Sequence, residues 1–240
     1  MDDILIPIKE DTVFRFDCSP EVTCFNQCCR DLMQALTPYD VLRLREGLGL
    51  SSGRFLARYA RSHTGPGSGL PVVTLKPADA RTRVCPFVSA AGCRIYPHRP
   101  SSCRIYPLVR SFTRARGTGS SRVSYYILRE PHCRGFEAAR EQTVHQWIQD
   151  QELSVYNAEN DRMIEVISLK NRLHPGPLPA DRLASLATAL YDLDAFRAQL
   201  SLGRIPAAEA LREAFPGALE GDDLQLLHAG LAWAKRILEL

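Results

Sequence analysis

The 240-residue chain has no cysteine after position 133 and no C-x2-C pair anywhere. It has no apolar run approaching the roughly 18 residues of a membrane-spanning helix, and no GxGxxG, P-loop or HExxH pattern. Each absence excludes something. No transmembrane helix is expected. The glycine-rich stretch at 65–69 lacks the strand–turn–helix setting and the lysine that a phosphate-binding loop needs. The zinc turns of small structural domains usually rest on C-x2-C, so its absence leans away from an ordinary zinc knuckle. The first residues carry Asp2 and Asp3 where a secretory signal would be basic, and the apolar run at 4–8 is short and broken by Pro7. A cytoplasmic protein with reduced thiols is therefore expected.

What the chain does have is eight cysteines packed into its first 133 residues: Cys18, Cys24, Cys28, Cys29, Cys85, Cys93, Cys103 and Cys133. Their spacing is C-x5-C-x3-C-C, then C-x7-C-x9-C, then one alone. A disulfide framework is disfavoured by the expected compartment and by the vicinal pair Cys28-Cys29, since neighbouring residues rarely meet disulfide geometry. Eight buried but inert thiols would not cluster in one half of the chain. Metal ligation explains the clustering, with all eight as candidate ligands of an iron–sulfur cluster or zinc. The irregular spacing and the Cys85-Pro86 step favour iron–sulfur. Consecutive residues in an extended segment point in opposite directions, so Cys28 and Cys29 either serve two different sites or include one non-ligand. His98 and His132, both close to cysteines, are candidate substitutes for a thiolate.

Charge is distributed unevenly. Residues 1–135 hold 20 Lys+Arg against 11 Asp+Glu, whereas residues 136–240 hold 10 against 16. Arg30, Arg94, Arg104 and Arg134 each follow a cysteine directly and are expected to offset thiolate charge. A basic face for nucleic acid is the competing explanation. Arg110, Arg114, Arg116 and Arg122, interleaved with Phe112, Tyr125 and Tyr126, read more readily as a solvated strand face than as a nucleic-acid platform. The pentapeptide Cys-Arg-Ile-Tyr-Pro occurs at 93–97 and again at 103–107. Two copies suggest two similar local conformations, each placing a thiol beside a guanidinium, which favours the thiolate.

Periodicity predicts an α+β protein: a cysteine-cluster metal-binding domain over 1–135 with short antiparallel strands, then a helical region over 136–240. Strands are expected within 4–17 and at 72–75. Thr37-Pro38-Tyr39-Asp40 reads as a helix start, with Gly47 and Gly49 at its end. A second helix, capped by Ser51 or Ser52, carries Phe55, Leu56, Tyr59 and Ala60. Residues 63–70 read as a loop. Residues 105–114 and 122–128 read as a hairpin joined through 117–121. Residues 136–173 read as one long, mostly unbroken helical stretch with Tyr156, Met163, Ile164 and Ile167 buried. Stripes at Leu183, Leu186, Leu190, Leu193, Phe196 and Leu200, and at Leu224, Leu227, Leu231, Ala234 and Leu238 behind Asp222, are packing faces. They could serve this chain's core, a protein partner or a second copy.

The chain resembles the YkgJ-like cysteine-cluster family, to which zinc or iron chelation is ascribed. The residues that carry the resemblance are Phe16-Asp17-Cys18, Cys24-Phe25-Asn26-Gln27-Cys28-Cys29, Cys85-Pro86-Phe87, Gly92-Cys93-Arg94-Ile95-Tyr96 and Arg99-Pro100-Ser101-Ser102-Cys103-Arg104-Ile105-Tyr106-Pro107, with Cys133 as the last cysteine. The family's C-x2-C-x2-C-C pattern is stretched here to C-x5-C-x3-C-C. The resemblance implies metal ions as the partner. A related branch, the flagellin lysine N-methylases, carries a similar cysteine set, so the resemblance also admits an enzyme using S-adenosylmethionine.

Overall fold

The computed structural model describes residues 4–30, 33–114 and 121–240. Short strands dominate the first half and helices the second, as an α+β protein. The strands are β1 (Leu5–Ile8), β2 (Val13–Arg15), β3 (Ala35–Leu36), β4 (Ala60–Thr64), β5 (Pro71–Leu75), β6 (Val88–Ser89), β7 (Gly92–Cys93), β8 (Leu108–Arg114), β9 (Ser121–Leu128) and β10 (Glu141–Thr143). The helices are α1 (Pro38–Gly47), α2 (Ser52–Tyr59), α3 (Ser101–Ile105), α4 (Val144–Asp150), α5 (Leu153–Leu173), α6 (Ala180–Tyr191), α7 (Leu193–Ser201), α8 (Ala208–Ala214) and α9 (Asp223–Leu238).

Local chemistry sets several of these boundaries. At α1 the Thr37 hydroxyl accepts from the Asp40 N–H at 3.2 Å, and the Asp40 carboxylate accepts from the Thr37 N–H at 2.9 Å. This reciprocal cap satisfies two N–H groups that the first turn leaves open. Ser51 caps α2, while the buried Ser52 hydroxyl donates to Asp192 at 2.6 Å and locks the start of α2 onto the start of α7. Asp222 caps α9 through the N–H groups of Leu224 and Gln225, both at 3.0 Å.

Among the described residues the strands form four antiparallel sheets, ordered β1-β9-β8, β10-β2, β3-β5-β4 and β6-β7. In the first, Leu108 pairs with Ile127 and Leu5 with Leu128. Among the described residues, buried apolar side chains fall into two clusters. The larger joins α1, α2 and the β3-β5-β4 sheet to helices α5–α9, through Leu44, Phe55, Val73, Val166, Leu190, Phe196 and Leu227 among others. The smaller packs Phe14, Phe16, Leu108, Tyr125, Ile127, Val144, Trp147 and Leu153.

Several expectations need correction. The stretch 136–173 is not one helix. Residues 141–143 leave it to pair with β2, and the chain breaks again between α4 and α5, where Glu152 takes a left-handed φ of 52°. Only a partner 126 residues away can satisfy that pairing, so the helical pattern could not show it. Ile164 and Ile167 are only partly buried; Leu153, Tyr156, Met163 and Val166 form the inward face of α5. Leu224 is exposed at the first turn of α9. Ala60 opens β4 rather than closing α2, and His63 and Thr64 pair with Val72 and Pro71 instead of lying in a loop. Ile105 ends α3, so the hairpin starts at Leu108. Its connection at 117–120 and Arg116 lie outside the described residues.

The two identical pentapeptides do not share a conformation. Cys93 closes the β6-β7 hairpin and leads into a 3-10 turn at Tyr96–His98, whereas Cys103 sits inside α3 and is followed by a cis Tyr106-Pro107 bond. The surroundings of each copy override the shared sequence.

Candidate metal centre

No cysteine is in a disulfide; all eight are free thiols. Cys28 and Cys29 begin a 3-10 turn (Cys28–Arg30) that ends an irregular loop, and this loop touches two other parts of the chain. On one side the Arg134 N–H donates to the Cys24 sulfur at 3.1 Å, and the Asp17 N–H donates to the Gly135 carbonyl at 3.0 Å. Cys18, Cys24 and Cys133 are thereby brought together. On the other side the Cys85 N–H donates to the Cys29 carbonyl at 2.8 Å, and the Asn26 amide donates to the Ser89 carbonyl at 3.1 Å. Strand pairing then sets Cys93 opposite Val88. The Cys103 thiol points to the Gln34 side-chain oxygen at 3.6 Å. Its sulfur lies within electrostatic reach of Cys85, Cys28 and Cys93.

The thiols oppose one another's ionisation. Burial first, then Cys28, Cys24 and Cys133, push Cys18 up to about 12. Burial, then Cys85 and Cys28, push Cys103 up to about 12 as well. Burial also raises Cys85, Cys93 and Cys133. Cys28 moves the other way, to about 7, because the Cys29 S–H donates to it; Cys29 is correspondingly raised. Like charges at close quarters cannot all form without compensation.

Compensation is present. The N–H two residues on faces the sulfur at Cys85 (Phe87), Cys93 (Ile95) and Cys133 (Gly135), a contact that favours the thiolate. Arg99 and Arg94 both favour the thiolate of Cys93. Arg99 is buried over the face of Tyr96, 3.7 Å from the ring centre, and its hydrogen bonds go to the Tyr96 carbonyl and the Gln151 side-chain oxygen, neither of them a carboxylate. The Tyr106 hydroxyl is buried beside Cys133 and Glu130 without a well-formed hydrogen bond of its own.

Of the four arginines that directly follow cysteines, three do not compensate a thiol. Arg30 is exposed, and Arg134 pairs with Glu137 at 3.1 Å. Arg104 is buried but donates to the carbonyls of Pro97, Arg99 and Gln151. Only Arg94 of the expected four faces a thiol, and Arg99, which sequence spacing did not single out, joins it. Arg110 forms a two-point pair with Asp161 of α5 at 2.6 and 2.8 Å. His98 lies against Gly47 with its Nδ1 buried and unpartnered, and His132 is 3.7 Å from Glu130. Neither is among the groups that act most strongly on the thiols.

Among the described residues, no three His, Cys, Asp or Glu side chains stand close enough to clasp an ion as they are placed. The donor chemistry nevertheless suits a thiolate-bound metal: free sulfurs converge from remote segments, backbone N–H groups face them, a buried guanidinium has no carboxylate to neutralise it, and an orphaned hydroxyl abuts one sulfur. A tetrathiolate centre carries net negative charge, which these groups would offset.

A fold in which thiols from distant segments gather beside cations defines a cysteine-cluster protein. Residues 17–151 match the CxxCxxCC family, described as "Putative zinc- or iron-chelating domain", and the match covers more than half of the chain. The chain belongs to that family. No curated protein and no solved structure matches it. No described helix is long and apolar enough to cross a membrane.

Proposed function

We propose that the chain holds iron, as an iron–sulfur cluster, through its cysteine thiolates, with Cys18, Cys24, Cys28, Cys29, Cys85, Cys93, Cys103 and Cys133 as the ligand set. The observation that carries this reading is the convergence of free thiols from 18–29, 85–103 and 133 around the Cys28-Cys29 loop, beside the buried Arg99. Holding a buried guanidinium beside gathered thiols is costly unless opposite charges meet there. Metal binding would replace the thiol protons and let those charges meet. Iron–sulfur is preferred to zinc because the ligand loops are irregular, with no C-x2-C turn, and because Pro86 follows Cys85. Such a cluster would supply electron transfer or a redox-sensitive structural link at this position.

Oxygen-free purification followed by iron, zinc and sulfide assays and a visible spectrum tests the reading. A coloured protein with iron and acid-labile sulfide is expected. A colourless protein with stoichiometric zinc would overturn the choice of iron, and one with neither metal would overturn chelation itself.

A further inference from the structure

We propose that the eight thiols form two separate four-sulfur centres, Cys18/Cys24/Cys28/Cys133 and Cys29/Cys85/Cys93/Cys103, with the vicinal pair as the divider. The division rests on the reading of the thiols as metal ligands.

Backbone hydrogen bonds build the two groups independently. Asp17 to Gly135 at 3.0 Å and Arg134 to the Cys24 sulfur at 3.1 Å hold the first. Cys85 to Cys29 at 2.8 Å, Arg94 to Phe87 at 2.9 Å and the Val88–Cys93 pairing hold the second. The two groups also rest on different apolar cores. Cys85 and Cys93 pack against the large cluster that includes α1, α2 and α5–α9, and Cys133 packs against the small cluster around Phe16 and Trp147. A single centre would have to draw ligands from both.

The loop between the groups assigns the vicinal pair. Cys29 gives its carbonyl to Cys85 and its sulfur faces Cys85 and Cys103. Cys28 reaches toward Cys18 and Glu130 as well as toward the second group. Four sulfurs are complete in the second group with Cys29, so Cys28 completes the first. The two sulfurs touch, the Cys29 S–H donating to Cys28, so the pair marks the line along which the two centres would adjoin.

The test uses the full chain, purified without oxygen, as wild type and as Cys133→Ala, Cys93→Ala and the double variant. Metal per chain is read by elemental analysis and native mass spectrometry, and helix content by circular dichroism. Wild type should carry two equivalent loads. Each single variant should keep half, and the double variant none, with helix content unchanged. If Cys133→Ala does not fold, Cys18→Ala, in the same group, makes the same comparison. Complete loss in both single variants, or a wild type carrying one load, would overturn the division while leaving chelation standing. A wild type with no metal would overturn chelation.

Discussion

The backbone N–H of Arg134 donates to the sulfur of Cys24 at 3.1 Å, across 110 residues of chain. An N–H aimed at a sulfur favours the thiolate over the thiol, and here it also fixes where the last cysteine segment meets the first. The contact next door is equally tight. A Cβ on Gly135 would lie 2.5 Å from the Asp17 carbonyl oxygen and 2.6 Å from the Phe16 ring.

Gly135→Ala must therefore push the Cys18 segment away from Cys133. A loss of roughly 1–3 kcal/mol in stability is expected from such overpacking. Metal content should fall with it, while Cys85, Cys93 and Cys103, on the far side of the loop, keep their surroundings. Urea unfolding and elemental analysis of the same preparation check both effects.

Arg99 is a buried cation within electrostatic reach of Cys93 and Cys103 in the second group. Arg99→Met keeps the apolar stem and removes the charge. Metal should then be lost at a several-fold lower chelator concentration than in wild type, because the thiolates lose their partner. For an iron–sulfur cluster the reduction potential should also fall, since a nearby positive charge stabilises the more negative reduced form. Chelator titration and potentiometry measure these. An unchanged potential and unchanged retention would mean that Arg99 only packs.

The Asp40 carboxylate is fully buried and accepts three hydrogen bonds: from the N–H groups of Thr37 and Ser101 at 2.9 and 2.7 Å, and from the Ser101 hydroxyl at 3.1 Å. It thus joins the start of α1 to the start of α3, which carries Cys103. Asp40→Asn replaces one acceptor oxygen with a donor and leaves a buried N–H facing an N–H₂. A loss of about 1–3 kcal/mol is expected, measured by thermal or urea unfolding. Burial raises the Asp40 pKa, so the folded state binds this proton more readily than the unfolded state. Its contribution to stability is accordingly largest at low pH and falls as pH rises through the folded pKa. In Asp40→Asn that pH dependence should disappear.

Helix starts were legible in the sequence because their signals are local. Thr37-Pro38-Tyr39-Asp40 and Asp222 each contain the cap and the first turn in a few residues. The cysteines were legible as a set for the same reason, since clustering is visible along the chain. How they are grouped was not. Asp17 meeting Gly135, Cys85 meeting Cys29, and residues 141–143 pairing with β2 are contacts between remote segments, and no spacing rule encodes them. The same holds for Arg99. Sequence adjacency pointed to Arg104, whose guanidinium instead turns inward to backbone carbonyls and the Tyr156 ring.

Removing the metal should loosen the cysteine loops and leave the helical core. The loop at 17–30 is held mostly by short-range turns and the segment at 85–95 by a two-residue strand pair, whereas α6 and α9 meet so closely that a Cβ on Gly230 would lie 2.2 Å from the Ala189 carbonyl oxygen. Hydrogen exchange after chelation is expected to speed up at 17–30 and 85–95 and to stay slow in α9. Uniform acceleration across the chain would show instead that metal and helices unfold as one unit.

X-ray absorption at the metal edge of the natively purified protein tests the central claim most directly. A first shell of sulfur alone, four per metal at about 2.3 Å, is the expected result. A first shell dominated by nitrogen or oxygen would contradict thiolate ligation, whatever metal the protein carries.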